Sequence, residues 1–205
     1  RPRPALRIAC PAACSHHGFE LDRYREFLEL ESGLDITLIQ RLRVDRVLRW
    51  RVEHELLPLA RHEGEFAFAA LAVRMAFLER DPEGHNLVDR WEQEGMRELT
   101  VDDRALLRGR ARLRPALLEV HRIFDGETIE AVDLLDATPV PLIFKDRSLA
   151  SVSVRFLTLL TWIYPAPFFW RVQGEAQLVP NMSGLEPEEA VKKISAISED
   201  PVMIQ

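Results

Sequence analysis

The chain has 205 residues, enough by surface scaling to bury about 70% of its unfolded surface and to form one or two domains. Thirty-three acidic side chains against 27 lysines and arginines leave a formal net charge of −6. That balance argues against broad electrostatic attachment to nucleic acid or an anionic membrane, while leaving room for a local basic patch.

No apolar run reaches the roughly 18 residues of a membrane-spanning helix, and two cysteines make no disulfide framework. The apolar part of Ala5–Ala13 is too short and broken for a signal peptide, so the expected location is the cytoplasm, with no membrane partner.

Residues 1–18 read as a basic, proline-bearing extended arm. Glu20–Glu31 carries Leu21, Tyr24, Phe27 and Leu28 at helical spacing, and Ser32-Gly33 supplies a stop. Leu34–Leu42 fits either a short strand or the start of the next helix. Val44–His62 is an amphipathic helix that Pro58 should kink or end. Phe66–Glu79 is apolar nearly all round, as in the buried centre of a bundle. Asn86–Gln93 is a short helix presenting Leu87, Val88 and Trp91. Thr100 caps a further helix with Asp103 at its third position, and Pro115 closes it.

The pattern then changes. Leu117–Phe124 and Thr128–Leu134 are short apolar runs joined by Asp125-Gly126-Glu127, a hairpin signature. Val140–Phe144 resumes an extended run, and Pro139 just before it with Pro141 within it assign it to an edge. Phe156–Tyr164, Phe168–Val172 and Ala176–Val179 follow, the last two separated by a Gln173-Gly174-Glu175 turn. Leu185–Ser198 reads as a terminal amphipathic helix.

The expected fold class is therefore α+β. An N-terminal helical bundle (19–115) precedes a small antiparallel β-barrel or curled sheet of about six strands (116–180) and a C-terminal helical tail (181–205).

Val120–Phe124, Asp125-Gly126-Glu127, Asp133-Leu134-Leu135 and Asp146-Arg147-Ser148-Leu149-Ala150 carry a resemblance. In this order, after a helical region, they resemble the layout of bacterial proteins of the SEC-C-associated (YecA-like) type, over roughly residues 66–180. The resemblance implies a layout and no activity. The Cys-x-Cys-Gly-Ser-Gly signature is absent, so the zinc site of that motif does not carry over.

Four constellations stand out for chemistry. Cys10, Cys14, His16 and His17 have the ligand density of a zinc knuckle: the two cysteines with either His17 or His16 supply three ligands, and the fourth is left to a remote histidine or a partner. Trp162, Tyr164, Phe168, Phe169 and Trp170 form an aromatic run that fits a core or a partner-binding face. Arg104, Arg108, Arg110 and Arg112 suit phosphate, although the acids around them suit a mutually paired surface equally. Glu53-His54-Glu55 and His62 lack the spacing of a metalloprotease motif.

Ser148 has no nucleophile elbow and is expected to bond backbone, with Arg147 pairing Asp133 or Asp136. A hydrolase-like reading would need His54, His62 or His121 to converge with carboxylates. The expectation from sequence is a non-enzymatic protein that binds another protein through the aromatic face, with nucleic-acid binding as the alternative and zinc as a candidate cofactor.

Overall fold

The computed structural model describes residues 21–56, 73, 75–179, 188, 189 and 192. The chain divides into two compact units, one containing residues up to Leu113 together with Pro165–Phe168, the other Arg114–Tyr164 and the chain from Phe169 on.

The first unit is helical. Its longest element is α1 (Leu21–Val44), which continues through Ser32-Gly33 instead of stopping there. The reason is visible in its buried side: Tyr24, Phe27, Glu31, Leu34, Leu38 and Leu42 recur three or four apart without a break. Burying that stripe outweighs the roughly 1 kcal/mol that one helical glycine costs. Thr37 Oγ1 donates to the Gly33 carbonyl at 3.0 Å.

Two short helical pieces follow, α2 (Arg46–Arg51) and a π turn (Val52–Leu56). The Pro58 end of the expected second helix lies outside the described residues, as does most of Phe66–Glu79; residues 75–78 are helical.

Helix α3 (Leu87–Gln93) begins on Asn86, whose side chain accepts from Asp89 N–H while Asp89 returns the bond to Asn86 N–H. The Asn86 amide also donates to the Phe77 carbonyl at 3.2 Å. Helix α4 (Val101–Arg110) starts on the expected Thr100–Asp103 capping box. It ends at Arg110, so Pro115 does not close it.

Pro115 lies instead in β1 (Arg114–Ile123), opposite Trp162. The second unit continues with β2 (Thr128–Asp133), β3 (Pro141–Lys145), α5 (Arg147–Val152), β4 (Thr158–Pro165) and β5 (Trp170–Val179). The strands close into a barrel in the order β1-β2-β3-β5-β4, with β1 paired antiparallel to both β2 and β4.

Three expectations are corrected here. There are five strands among the described residues, because Gly174, at φ +77, bends one long β5 and does not turn a hairpin. The barrel is not wholly antiparallel, because β3 pairs in parallel with β5 at Phe144 and Trp170. Strand β3 is also not a free edge: its Pro141 is the first residue, where a missing donor costs the ladder little. This strand order, with a helix between β3 and β4, is the topology of the OB-type barrel.

The barrel core joins Leu118 and Val120, Ile129 and Ala131, Phe144, and Leu159 and Ile163, with Leu149 and Ala150 of α5 packed into it. Among the described residues no helix is long and apolar enough to cross a membrane. Of the expected C-terminal helix, only residues 188, 189 and 192 are described, and they are helical.

Two glycines test this reading of the helical unit. A Cβ at Gly33 meets nothing within 4 Å, so Gly33→Ala should raise stability by about 0.5–1 kcal/mol. A Cβ at Gly109 would collide with the Pro165 carbonyl oxygen, so Gly109→Ala should lower stability by about 1–3 kcal/mol. Urea denaturation of both variants checks the pair; a destabilised Gly33→Ala would mean that α1 is not continuous through residue 33.

Candidate functional site

The four residues of the expected knuckle, Cys10, Cys14, His16 and His17, lie outside the described residues. Among the described residues no group of three or more His, Cys, Asp or Glu side chains is placed to hold a metal ion.

The arginines of α4 do not form one basic stripe. Arg110 is buried, with Nη1 donating to Asp35 and Nη2 4.0 Å from Glu31, both on α1. Arg108 donates from Nε and Nη2 to Glu92 Oε1 at 2.9 and 2.6 Å. Arg104 donates to the Leu99 carbonyl at 3.2 Å, and Arg112 is exposed. Arg110 in particular is unreachable by phosphate.

The aromatic run is also divided. Tyr164 and Phe169 are buried, while Trp162, Phe168 and Trp170 are half-buried. Trp170 packs against the barrel core and lies 5.7 Å below the Arg114 guanidinium. Tyr164 and Phe169 are therefore closed to a partner.

The acid and histidine groups of the helical unit are engaged locally. His54 Nδ1 lies 3.0 Å from the Trp50 carbonyl, its ring stacks on Trp50 at 5.1 Å, and Glu53 pairs with Arg49. His62 lies outside the described residues. In the barrel unit Ser148 is exposed, and its carbonyl accepts from Ser151 Oγ at 2.8 Å. Asp146 does the capping instead, accepting from Leu149 N–H at 2.9 Å, and Arg147 pairs with Glu127 where Asp133 or Asp136 was expected.

One carboxyl in the helical unit is strongly placed. Glu98 accepts from Trp91 Nε1 at 2.7 Å, and Arg41 lies both 3.5 Å from it and 4.7 Å over the Trp91 ring. Its own backbone N–H, then the Trp91 donor, and more weakly Arg41 and Arg104, hold its pKa below the ordinary carboxyl value. A lowered folded-state pKa means that this contribution to stability is complete above the unfolded carboxyl range and is lost as pH falls through the folded pKa. Trp91 emission should therefore titrate on acidification in the wild type, with a midpoint below the ordinary carboxyl value. Glu98→Gln should remove that transition; an unchanged titration in the variant would assign it elsewhere.

The most unusual local geometry is at the far end of β1. Val120 pairs with Ala131 and Arg122 with Glu130, so His121 is the extra residue of a β-bulge. Bulges concentrate at barrel rims and re-aim a side chain. On the other edge of β1, Phe156 N–H donates to the Val120 carbonyl at 2.7 Å and Val120 N–H to the Leu157 carbonyl at 2.9 Å. Phe156 sits at φ +66, a region that a bulky side chain rarely adopts.

The two irregularities meet. The His121 ring lies edge-on to Phe156 at 6.4 Å and 68°. The Arg155 guanidinium covers Phe156 at 4.6 Å. His121 Nε2 lies 2.9 Å from Glu119 Oε1, whose side chain is nearly buried. Phe156 is 50% exposed, and Ile123, Phe124, Val152 and Val154 in the same two segments are exposed as well.

This arrangement presents an aromatic ring, a stacked guanidinium and an imidazole on a fixed backbone. It brings one histidine to one carboxylate, as a hydrolase-like reading would need for His121. The residue that sequence reasoning missed is Phe156: nothing in its neighbourhood signals a left-handed backbone, and the run Phe156–Tyr164 places it inside a strand that in the structure begins only at Thr158.

Compared with known proteins, the chain matches no family model, no curated protein and no solved structure.

The strain at Phe156 is measurable. Glycine adopts this φ without the steric cost, about 1–2 kcal/mol, that a Cβ incurs there. Phe156→Gly should keep the fold and hold or raise the melting temperature even though it deletes a half-buried ring; a fall of several degrees would mean that the ring is structural.

Proposed function

We propose that the protein is a non-enzymatic macromolecule-binding protein, and that it binds through the bulged rim of the barrel at β1. The observation that carries this is the exposure of five large apolar side chains, Ile123, Phe124, Val152, Val154 and Phe156, on two segments joined by backbone hydrogen bonds. Singly exposed apolar residues are ordinary, but a contiguous group with a polar rim marks interaction surfaces.

Arg122 and Arg155, on the same two segments, are exposed beside them in sequence. The aromatics named from sequence are more enclosed: none of Trp162, Tyr164, Phe168, Phe169 and Trp170 is exposed. The OB-type topology supports a binding role by analogy only, since fold does not fix function. The likeness in layout to SEC-C-associated proteins stays a proposal alongside it.

The test compares native lysates containing tagged wild type and a Phe124→Ser/Phe156→Gly variant on a sizing column. The wild type should elute in a complex larger than the free chain, and the variant should return to the position of the free chain with its thermal melt intact. A complex of equal size and amount in both would remove the rim from the binding surface.

A further inference from the structure

We infer that the outer face of α1 docks a second copy of this chain, helix against helix and antiparallel, about a two-fold axis beside Ile36. This surface lies on the helical unit and does not rest on the barrel rim.

One side of α1 is taken up by its own unit: Tyr24, Phe27, Glu31, Leu34, Leu38 and Leu42 form the buried stripe. A spacing of seven residues returns to nearly the same side of a helix. At that spacing, opposite the stripe, stand Glu29, Ile36 and Arg43, all exposed. Ile36 is 55% exposed, and Leu28 and Val44, on the two flanks of the same face, are exposed as well. Ser32 and Gly33 are exposed between Glu29 and Ile36, and a Cβ at Gly33 would meet nothing within 4 Å. A neighbouring helix can therefore come close here.

The order of charge along this face selects the occupant. Its N-terminal half exposes Glu26 and Glu29, while its C-terminal end and the turn beyond expose Arg43 and Arg46. A two-fold axis makes an interface self-complementary: where residue i meets j, j meets i. With the axis beside Ile36, residues equally far before and after it come level across the pair. Ile36 then meets Ile36 of the second copy. Glu29 and Arg43, each seven positions from Ile36, meet twice. Arg25 comes level with position 47, a valine, and so meets no like charge. Parallel pairing would instead set Glu29 against Glu29 and Arg43 against Arg43, a juxtaposition that costs affinity.

The 24 residues of α1 make a helix about 36 Å long. One pair of such helices falls at the small end of stable interfaces, about 1,200 Å². The dimer is therefore reversible, and its exposed ion pairs set orientation more than affinity.

Sedimentation velocity of the purified full-length chain at low salt, from about 1 to about 300 μM, tests the inference. With rising concentration the wild type should pass from 23.6 kDa to twice that mass. Ile36→Glu sets two carboxylates at the axis and should remain monomeric with its helical circular dichroism unchanged. Val101→Glu, at an exposed position of α4, should leave the dimer intact. Glu29→Arg and Arg43→Glu should each weaken association by roughly tenfold. Both reversals in one chain should restore it. The two positions are fourteen residues apart, roughly 21 Å along the helix, so they can compensate only between copies.

A wild type that stays monomeric at the highest concentration would overturn the inference. So would a dimer no weaker in Ile36→Glu than in Val101→Glu, or a double reversal that fails to recover association. The rim variant Phe124→Ser/Phe156→Gly should keep the dimer; its loss there would move the contact to the barrel and overturn the inference as well.

Discussion

The barrel unit depends on the carboxylate of Asp133. It is fully buried, and its oxygens accept from Leu117 N–H at 3.0 Å, from Leu135 N–H at 3.1 Å and from the Arg114 guanidinium. Arg114 also reaches Asp136 at 3.2 Å, and Leu134 N–H donates to the Leu117 carbonyl at 2.8 Å. One side chain thus ties the start of β1 to the turn that leaves β2. A buried charge is tolerable only when paired and hydrogen-bonded, and losing one partner typically costs about 3–5 kcal/mol. Since β1 is the strand that pairs with both β2 and β4, the fixed register at its beginning carries through to the bulge at its end.

Asp146 repeats the device at the other junction. It caps α5 through Leu149 N–H, and Arg171 of β5 reaches both it and the Lys145 carbonyl at 2.9 and 2.6 Å. Asp133 and Asp146 both open short motifs singled out in the sequence, Asp133-Leu134-Leu135 and Asp146-Arg147-Ser148-Leu149-Ala150. In this structure both work as carboxylates that organise turns, where a patterned acid could also have been read as catalytic.

Much of the architecture was legible because it follows from local chemistry. The Asp125–Glu127 hairpin and the Thr100–Asp103 cap are set by residues within four positions of one another. Ser32-Gly33 misled because its stop signal competes with a stripe that runs through it, Tyr24 to Leu42, whose burial decides. Gly174 misled because a bend in a long strand and a hairpin turn use the same residue. Parallel pairing of Phe144 with Trp170 leaves no mark on either strand alone. The arginines of α4 looked equivalent by type, yet Arg110 is turned toward Asp35 and Arg108 toward Glu92. The rim site was the least legible: a bulge at His121 is a property of two strands in register, and no propensity favours phenylalanine at positive φ.

Net charge and site chemistry pull in opposite directions, and that tension limits what the rim can do. A chain of formal charge −6 gains nothing from long-range attraction to phosphates. Within a Debye length of about 10 Å, however, Arg155 acts locally, whereas Arg122 stands 3.6 Å from the Glu130 carboxylate. Binding under those conditions must draw its energy from contact, that is, from the exposed half of the Phe156 ring and the apolar side chains beside it. Such a site would be modest in affinity and shallow in salt dependence. The strained backbone at Phe156 suits that role, because a ring held in place before binding loses little freedom on contact.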